Sequence, residues 1–192
     1  MKTFFILILI TSTICVINLS AQDFAKKGTW EFGGAVSYTS TTAVNDGETA
    51  DNSTNQFSFE VPAGYFIIDG LELGITPEIM TTSYDDASTT WFGVYFTPAW
   101  NFDLNSNAYP FIEGRFGYQS ATVDPGGSSS SSTYSGIGWG ILGGVKVQVG
   151  KNALINAGFG YMQHTLEGEN HVGGRNGENI FGGRIGFTVF VN

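Results

Sequence analysis

Residues 91–102 read Trp91-Phe92-Gly93-Val94-Tyr95-Phe96-Thr97-Pro98-Ala99-Trp100-Asn101-Phe102. One parity is apolar throughout (Phe92, Val94, Phe96, Pro98, Trp100, Phe102), and the other mixes Trp91, Gly93, Tyr95, Thr97, Ala99 and Asn101. Side chains of a strand point alternately to opposite faces, so this stretch has one greasy face along its whole length. A soluble sandwich alternates too, but its strands run to about five or six residues. A long strand with an unbroken apolar face suits a barrel whose outside is lipid.

The same pattern recurs along the chain. It predicts eight strands, at 29–41, 55–68, 71–83, 90–102, 108–120, 135–149, 153–166 and 178–191. The chain has 27 glycines, and those scattered through these segments oppose helices. Apolar positions alone assign the faces, so the charges test the assignment independently. Glu31, Glu60, Glu72, Glu78, Glu113, Arg115, Lys146 and Arg184 all take the inward parity. Random placement would give that result about once in a few hundred trials. A lipid-facing Arg or Lys at the midplane costs about 2–4 kcal/mol, which explains the bias. The expected fold is an eight-stranded antiparallel up-and-down transmembrane β-barrel.

Such a barrel is just wide enough inside for side chains to fill it. Buried charges must pair, so Arg115, Arg184 and Lys146 are expected to bridge the five glutamates across the lumen. A one-to-one count leaves two glutamates over, to be hydrated near an end or to carry a proton. Trp91 and Tyr95 share the inward parity. Trp30, Tyr38, Tyr65, Tyr84, Trp100 and Tyr109, near strand ends, are expected in the interfacial girdles.

The connections come in two kinds. Asp69-Gly70, Asp103-Leu104-Asn105-Ser106-Asn107 and Gly150-Lys151-Asn152 are short and rich in turn formers. Residues 42–54, 84–89, 121–134 and 167–177 are longer and polar, with a five-serine run at Ser128 to Ser132. Short turns at one end and long loops at the other are the asymmetry of an outer-membrane barrel, and they put both termini on the periplasmic side. The loops hold Asp46, Glu48, Asp51, Asp85, Asp86, Asp124, Glu167 and Glu169 against one basic residue, Arg175. They read as a hydrated acidic rim able to meet an extracellular partner. Asp46, Glu48 and Asp51 lack the spacing of a twelve-residue calcium loop, so no metal site is expected.

Residues 1–21 read as a signal peptide: Lys2, then Phe4 to Ile10 and further apolar residues, ending at Leu19-Ser20-Ala21. Thr11, Ser12 and Thr13 interrupt the run, which argues against an anchor helix. Cys15 follows Ile14 rather than a small residue, which argues against lipid attachment. The barrel domain is then 22–192, or 192 − 21 = 171 residues. It carries no cysteine, and its formal charge is −10 because Lys2 leaves the −9 total. An acidic chain without a basic cluster excludes nucleic acid as a partner.

Catalysis is not expected, nor is a cofactor. The two histidines are His164, inward and near the rim end of the seventh strand, and His171. A barrel resembling the lipid A deacylases needs a serine two residues after its histidine, where this chain has Leu166. An omptin-like protease needs a larger barrel with paired acids.

Tyr109-Pro110-Phe111-Ile112-Glu113-Gly114-Arg115-Phe116-Gly117-Tyr118, directly after a short turn, resembles the small outer-membrane β-barrels of the OmpA/OmpX/OmpW-like type. That resemblance implies a Gram-negative outer membrane, contact with membrane lipids and lipopolysaccharide, and assembly by the barrel insertase. Such barrels usually end on an aromatic residue, whereas Phe190 here is followed by Val191 and Asn192. Three roles stay open: a structural or surface-interaction barrel with a plugged lumen, a small channel or transporter for ions or apolar molecules, and a secreted soluble ligand-binding barrel. For the transporter, Trp91, Tyr95, Phe66 and Phe111 would form the contact surface.

Overall fold

The computed structural model describes residues 24–45, 48–84, 87–126, 131–168 and 176–192. They form β1 (Trp30–Asn45), β2 (Glu48–Glu60), β3 (Ala63–Ile68), β4 (Leu71–Tyr84), β5 (Ala87–Asn101), β6 (Ala108–Asp124), β7 (Ser132–Gly150), β8 (Ala153–Gly168) and β9 (Asn176–Val191). Neighbours pair antiparallel, and β1 pairs with β9 to close the sheet. The nine segments make eight staves, because β2 and β3 both lie between β1 and β4. Ala35 faces Glu60 and Phe32 faces Ala63, so pairing resumes beyond Val61-Pro62 in the same register. Proline lacks the N–H that the ladder uses there. Its carbonyl still accepts from Gly33 at 2.9 Å. The chain is therefore a closed eight-stranded antiparallel barrel.

The strands run further at the long-loop end than the apolar alternation reaches. Asn45 pairs with Glu48, Tyr84 with Ala87, and Val123 with Ser132. The alternation stops where lipid would stop, but Thr- and Ser-rich backbone keeps making ladder hydrogen bonds beyond it, helped by β-branched threonine. Glu48, Asp51, Asp124 and Glu167 thus belong to strands rather than loops. The signal peptide at 1–21, the loop residues Asp46, Asp85, Asp86, Glu169 and Arg175, and His171 lie outside the described residues.

The faces follow the parity. Phe92, Phe96, Phe116 and Phe159 are 54%, 49%, 58% and 63% exposed on the outside, while Trp91, Tyr95 and Phe111 are buried within. An apolar exterior of this extent far exceeds the patches that water-soluble proteins expose. Glycines shape the inner wall around Tyr95. A Cβ on Gly93 would lie 2.6 Å from its ring, and one on Gly138 3.0 Å. The Tyr95 hydroxyl, seated between them, donates to Gln119 at 2.9 Å.

At the girdle positions, Trp30 stacks on Phe32 with centroids 6.0 Å apart and meets Tyr65 at 4.8 Å. Trp100 and Tyr38 are exposed, and Tyr38 donates to Asn55 at 2.9 Å. The Tyr84 side chain lies outside the described residues. Tyr109 corrects the girdle reading. It is buried inside the barrel, because it shares the parity of Phe111 and Glu113 rather than that of Ile112 and Phe116.

Candidate functional site

The barrel lumen is crossed by two layers of charge. The deeper layer from the short-turn end is built on Arg115, which β6 projects inward two residues after Glu113. Its Nη1 and Nη2 donate to the two Glu60 oxygens at 3.1 and 2.6 Å, and its Nε donates to Glu113 at 2.8 Å. Glu78 lies 3.7 Å from Nη1. Arg184 comes from β9 and donates to Glu60 at 2.6 Å and to Glu113 at 3.1 Å. Glu60 and Glu78 sit directly opposite each other across β2 and β4. Like charges so placed repel. The guanidinium of Arg115 reaches both and offsets that cost.

The second layer lies toward the short turns. Lys146 on β7 donates to both oxygens of Glu31, at 2.7 and 2.6 Å, and to Glu72 at 3.1 Å. Asn101 adds a 3.3 Å bond to Glu72. Gly64 faces Glu31 across β1 and β3, and a Cβ there would collide with the Glu72 side chain. All eight charged residues therefore converge in two clusters. The one-to-one count does not describe them, since Arg115 serves three glutamates and Lys146 and Arg184 two each. A small void lies between the layers, bounded by Glu72 and Lys146 on one side and Glu113 and Arg184 on the other.

Beyond Lys146, four aromatic rings pack together at the short-turn end of the bore. Phe24 is fully buried, with its centroid 5.3 Å from Phe66, 5.0 Å from Tyr109 and 5.2 Å from Phe190. Lys146 Nζ stands 5.3 Å from the Phe24 ring and 5.5 Å from Phe111, close enough for cation–π attraction. The segment before β1 is tied down by Gly28 N–H to Phe66 O at 2.9 Å and Gly70 N–H to Ala25 O at 2.8 Å. Thr29 donates to Asn192 at 2.7 Å, joining the two ends of the barrel chain. Phe24 escaped the sequence reading because it precedes the alternating segments, and Phe190 because its inward parity was not followed. Phe190 is an inner plug residue, which is why the last lipid-facing side chain is Val191.

On the long-loop side of the Arg115 layer lies an open-mouthed cavity, lined by Gln56, Met80, Leu142, Met162, His164 and Ile180 among others. His164 is not a rim residue: it is buried, 5.0 Å from the Trp91 ring, because β8 continues past it to Gly168. No group of three His, Cys, Asp or Glu able to hold a metal occurs among the described residues.

An exterior that only a bilayer can cover, wrapped around an ion-filled bore, defines the class: a small outer-membrane β-barrel. The family model of the Opacity family porin protein matches residues 35–187, and the chain belongs to that family. No curated protein sequence matches it significantly. Among solved structures, Neisserial surface protein A is similar at 22% identity and TM-score 0.57, covering 86% of this chain and 97% of that one. Ail, the attachment invasion locus protein of Yersinia pestis, is similar at 12% identity and TM-score 0.54, over 86% and 99%. The N-terminal β-barrel domain of Pseudomonas aeruginosa OprF follows at 14% identity and TM-score 0.52, over 86% and 98%. These likenesses carry the fold.

Proposed function

We propose that the protein is a non-conducting surface barrel of a Gram-negative outer membrane, acting through its acidic loops rather than through its bore. Residues 1–21 direct export, the barrel insertase assembles residues 22–192, and the termini and short turns face the periplasm. Membrane lipids and lipopolysaccharide cover the apolar exterior. The long-loop end, whose sequence includes Asp46, Asp85, Asp86 and Glu169, then meets a partner outside the cell.

The observation that supports this reading is the series of obstacles along the lumen. A molecule passing through would have to part the Arg115–Glu60–Arg184 layer, the Lys146–Glu31–Glu72 layer and the Phe24 ring cluster in turn. A buried charge left without its partner costs about 3–5 kcal/mol, so the intact layers are the favoured arrangement. The word porin in the family description therefore fits the fold of this chain better than its bore. The test is planar-bilayer recording on the purified, folded protein. Silent bilayers at a protein load that gives clear currents with a true porin are expected; stable, sizeable unitary currents would end the plug reading and leave the small channel in its place.

A further inference from the structure

We propose that the outer cavity is a binding site for a soft monovalent metal ion, Cu(I) or its analogue Ag(I), held by the thioethers of Met80 and Met162 and an imidazole nitrogen of His164. The chain has three methionines. Met1 belongs to the leader, and the other two line this one cavity, from β4 and from β8. Met162 and His164 are two residues apart on β8, so both project into the lumen side by side. Met80 belongs to a buried cluster with Trp91, and the Trp91 ring lies 5.0 Å from His164. Met80 and His164 thus share the Trp91 indole as a neighbour, and Met162 lines the same cavity.

A second observation points to a ligand. His164 is 3% exposed, and neither ring nitrogen has a hydrogen-bond partner among the described residues. Buried polar groups are almost always satisfied, and an orphan imidazole in a cavity calls for an ion or molecule to complete it. Donor chemistry narrows the class. Thioethers are soft and select Cu(I) over hard ions, and imidazole is compatible with it. The hard donors at the cavity floor, Glu60 and Glu78, are engaged by Arg115. The Gln56 amide donates to the Met80 sulfur at 2.8 Å, which orients the thioether and leaves it a second lone pair.

Charge also favours a small cation. At the cavity floor, Glu60, Glu78 and Glu113 against Arg115 and Arg184 leave a formal deficit of 3 − 2 = 1 negative charge. A bound monovalent ion would reduce that deficit by one, and the Trp91 face adds cation–π attraction.

The test uses the mature barrel folded in micelles, titrated with Ag(I) in chloride-free buffer and with Cu(I) under anaerobic conditions against a chromophoric chelator. The expected result is one equivalent bound with quenching of Trp91 emission, which a Trp91→Phe control removes. Met80→Leu, Met162→Leu and His164→Gln should each weaken binding by about tenfold or more, with Zn(II) binding far more weakly than Ag(I). Absence of saturable Ag(I) binding, unchanged affinity in the Met80→Leu/Met162→Leu double variant, or Zn(II) binding as tightly would overturn the proposal. If a variant fails to fold, the wild-type protein decides by NMR: His164 imidazole resonances that do not move with Ag(I) refute the site.

Discussion

Replacing Arg115 with alanine isolates the keystone of the lumen. Its guanidinium makes the 3.1, 2.6 and 2.8 Å bonds to Glu60 and Glu113 and is the only cation within 4 Å of Glu78 among the described residues. After the change, Arg184 alone faces Glu60 and Glu113, and Glu78 stands opposite Glu60 with no cation in reach. Removing one partner of a buried pair costs about 3–5 kcal/mol, and this loss exposes several acids to one another, so the upper part of that range is expected. Arg184→Ala removes two contacts and leaves Arg115 in place, so its cost should be smaller. Adding Glu60→Gln to Arg115→Ala removes the most crowded carboxylate and should recover part of the loss, with a coupling of about 1–3 kcal/mol. Urea titration of the barrel in lipid vesicles, followed by tryptophan emission, measures these four proteins and the Glu60→Gln single variant that completes the cycle. Conductance should stay silent, because the Lys146 layer and the Phe24 cluster are untouched. A cost below about 1 kcal/mol for Arg115→Ala, or a greater cost for Arg184→Ala, would refute the keystone argument.

Two further substitutions probe the plug and the lipid face. Phe24→Ala removes a fully buried ring that touches Phe66, Tyr109 and Phe190, and should cost about 3–5 kcal/mol while speeding hydrogen exchange at Gly28 and Gly70, whose N–H groups fasten that segment. Phe116→Arg places a charge on the outer face at a position 58% exposed, and should cost about 2–4 kcal/mol in vesicles, measured by the same titration.

The architecture was readable because a lipid solvent leaves a strict mark. One parity must be apolar and the other carries every charge, so Phe92 and Phe116 on one side and Glu113 and Arg115 on the other suffice to orient a strand. The stave 55–68 was legible as one strand even though Pro62 divides it, since the parity of Phe57, Phe59, Val61 and Tyr65 continues across the break. Strand ends were less legible. Beyond the bilayer both faces meet water, so nothing in the pattern says where Thr- and Ser-rich backbone stops pairing.

The lumen was legible in membership but not in arrangement. Parity names the residues that point inward, yet partner choice depends on which staves the curved sheet brings face to face. Arg115 and Arg184 are 69 positions apart in sequence (184 − 115) and share Glu60 and Glu113 only because the barrel closes β9 onto β1. Tyr109 shows the cost of letting a residue-type rule override parity. An aromatic near a strand end suggests a girdle, but its odd number in β6 commits it to the inside. The same parity applied to Phe190 turns a displaced terminal aromatic into the fourth ring of the Phe24 cluster. Phe190 cannot face lipid without a one-residue slip of β9, and such a slip would also turn Arg184 outward and strip both acids it serves. The charged layer thereby fixes the register that places the Phe24 ring cluster, and lumen packing and barrel closure are one problem.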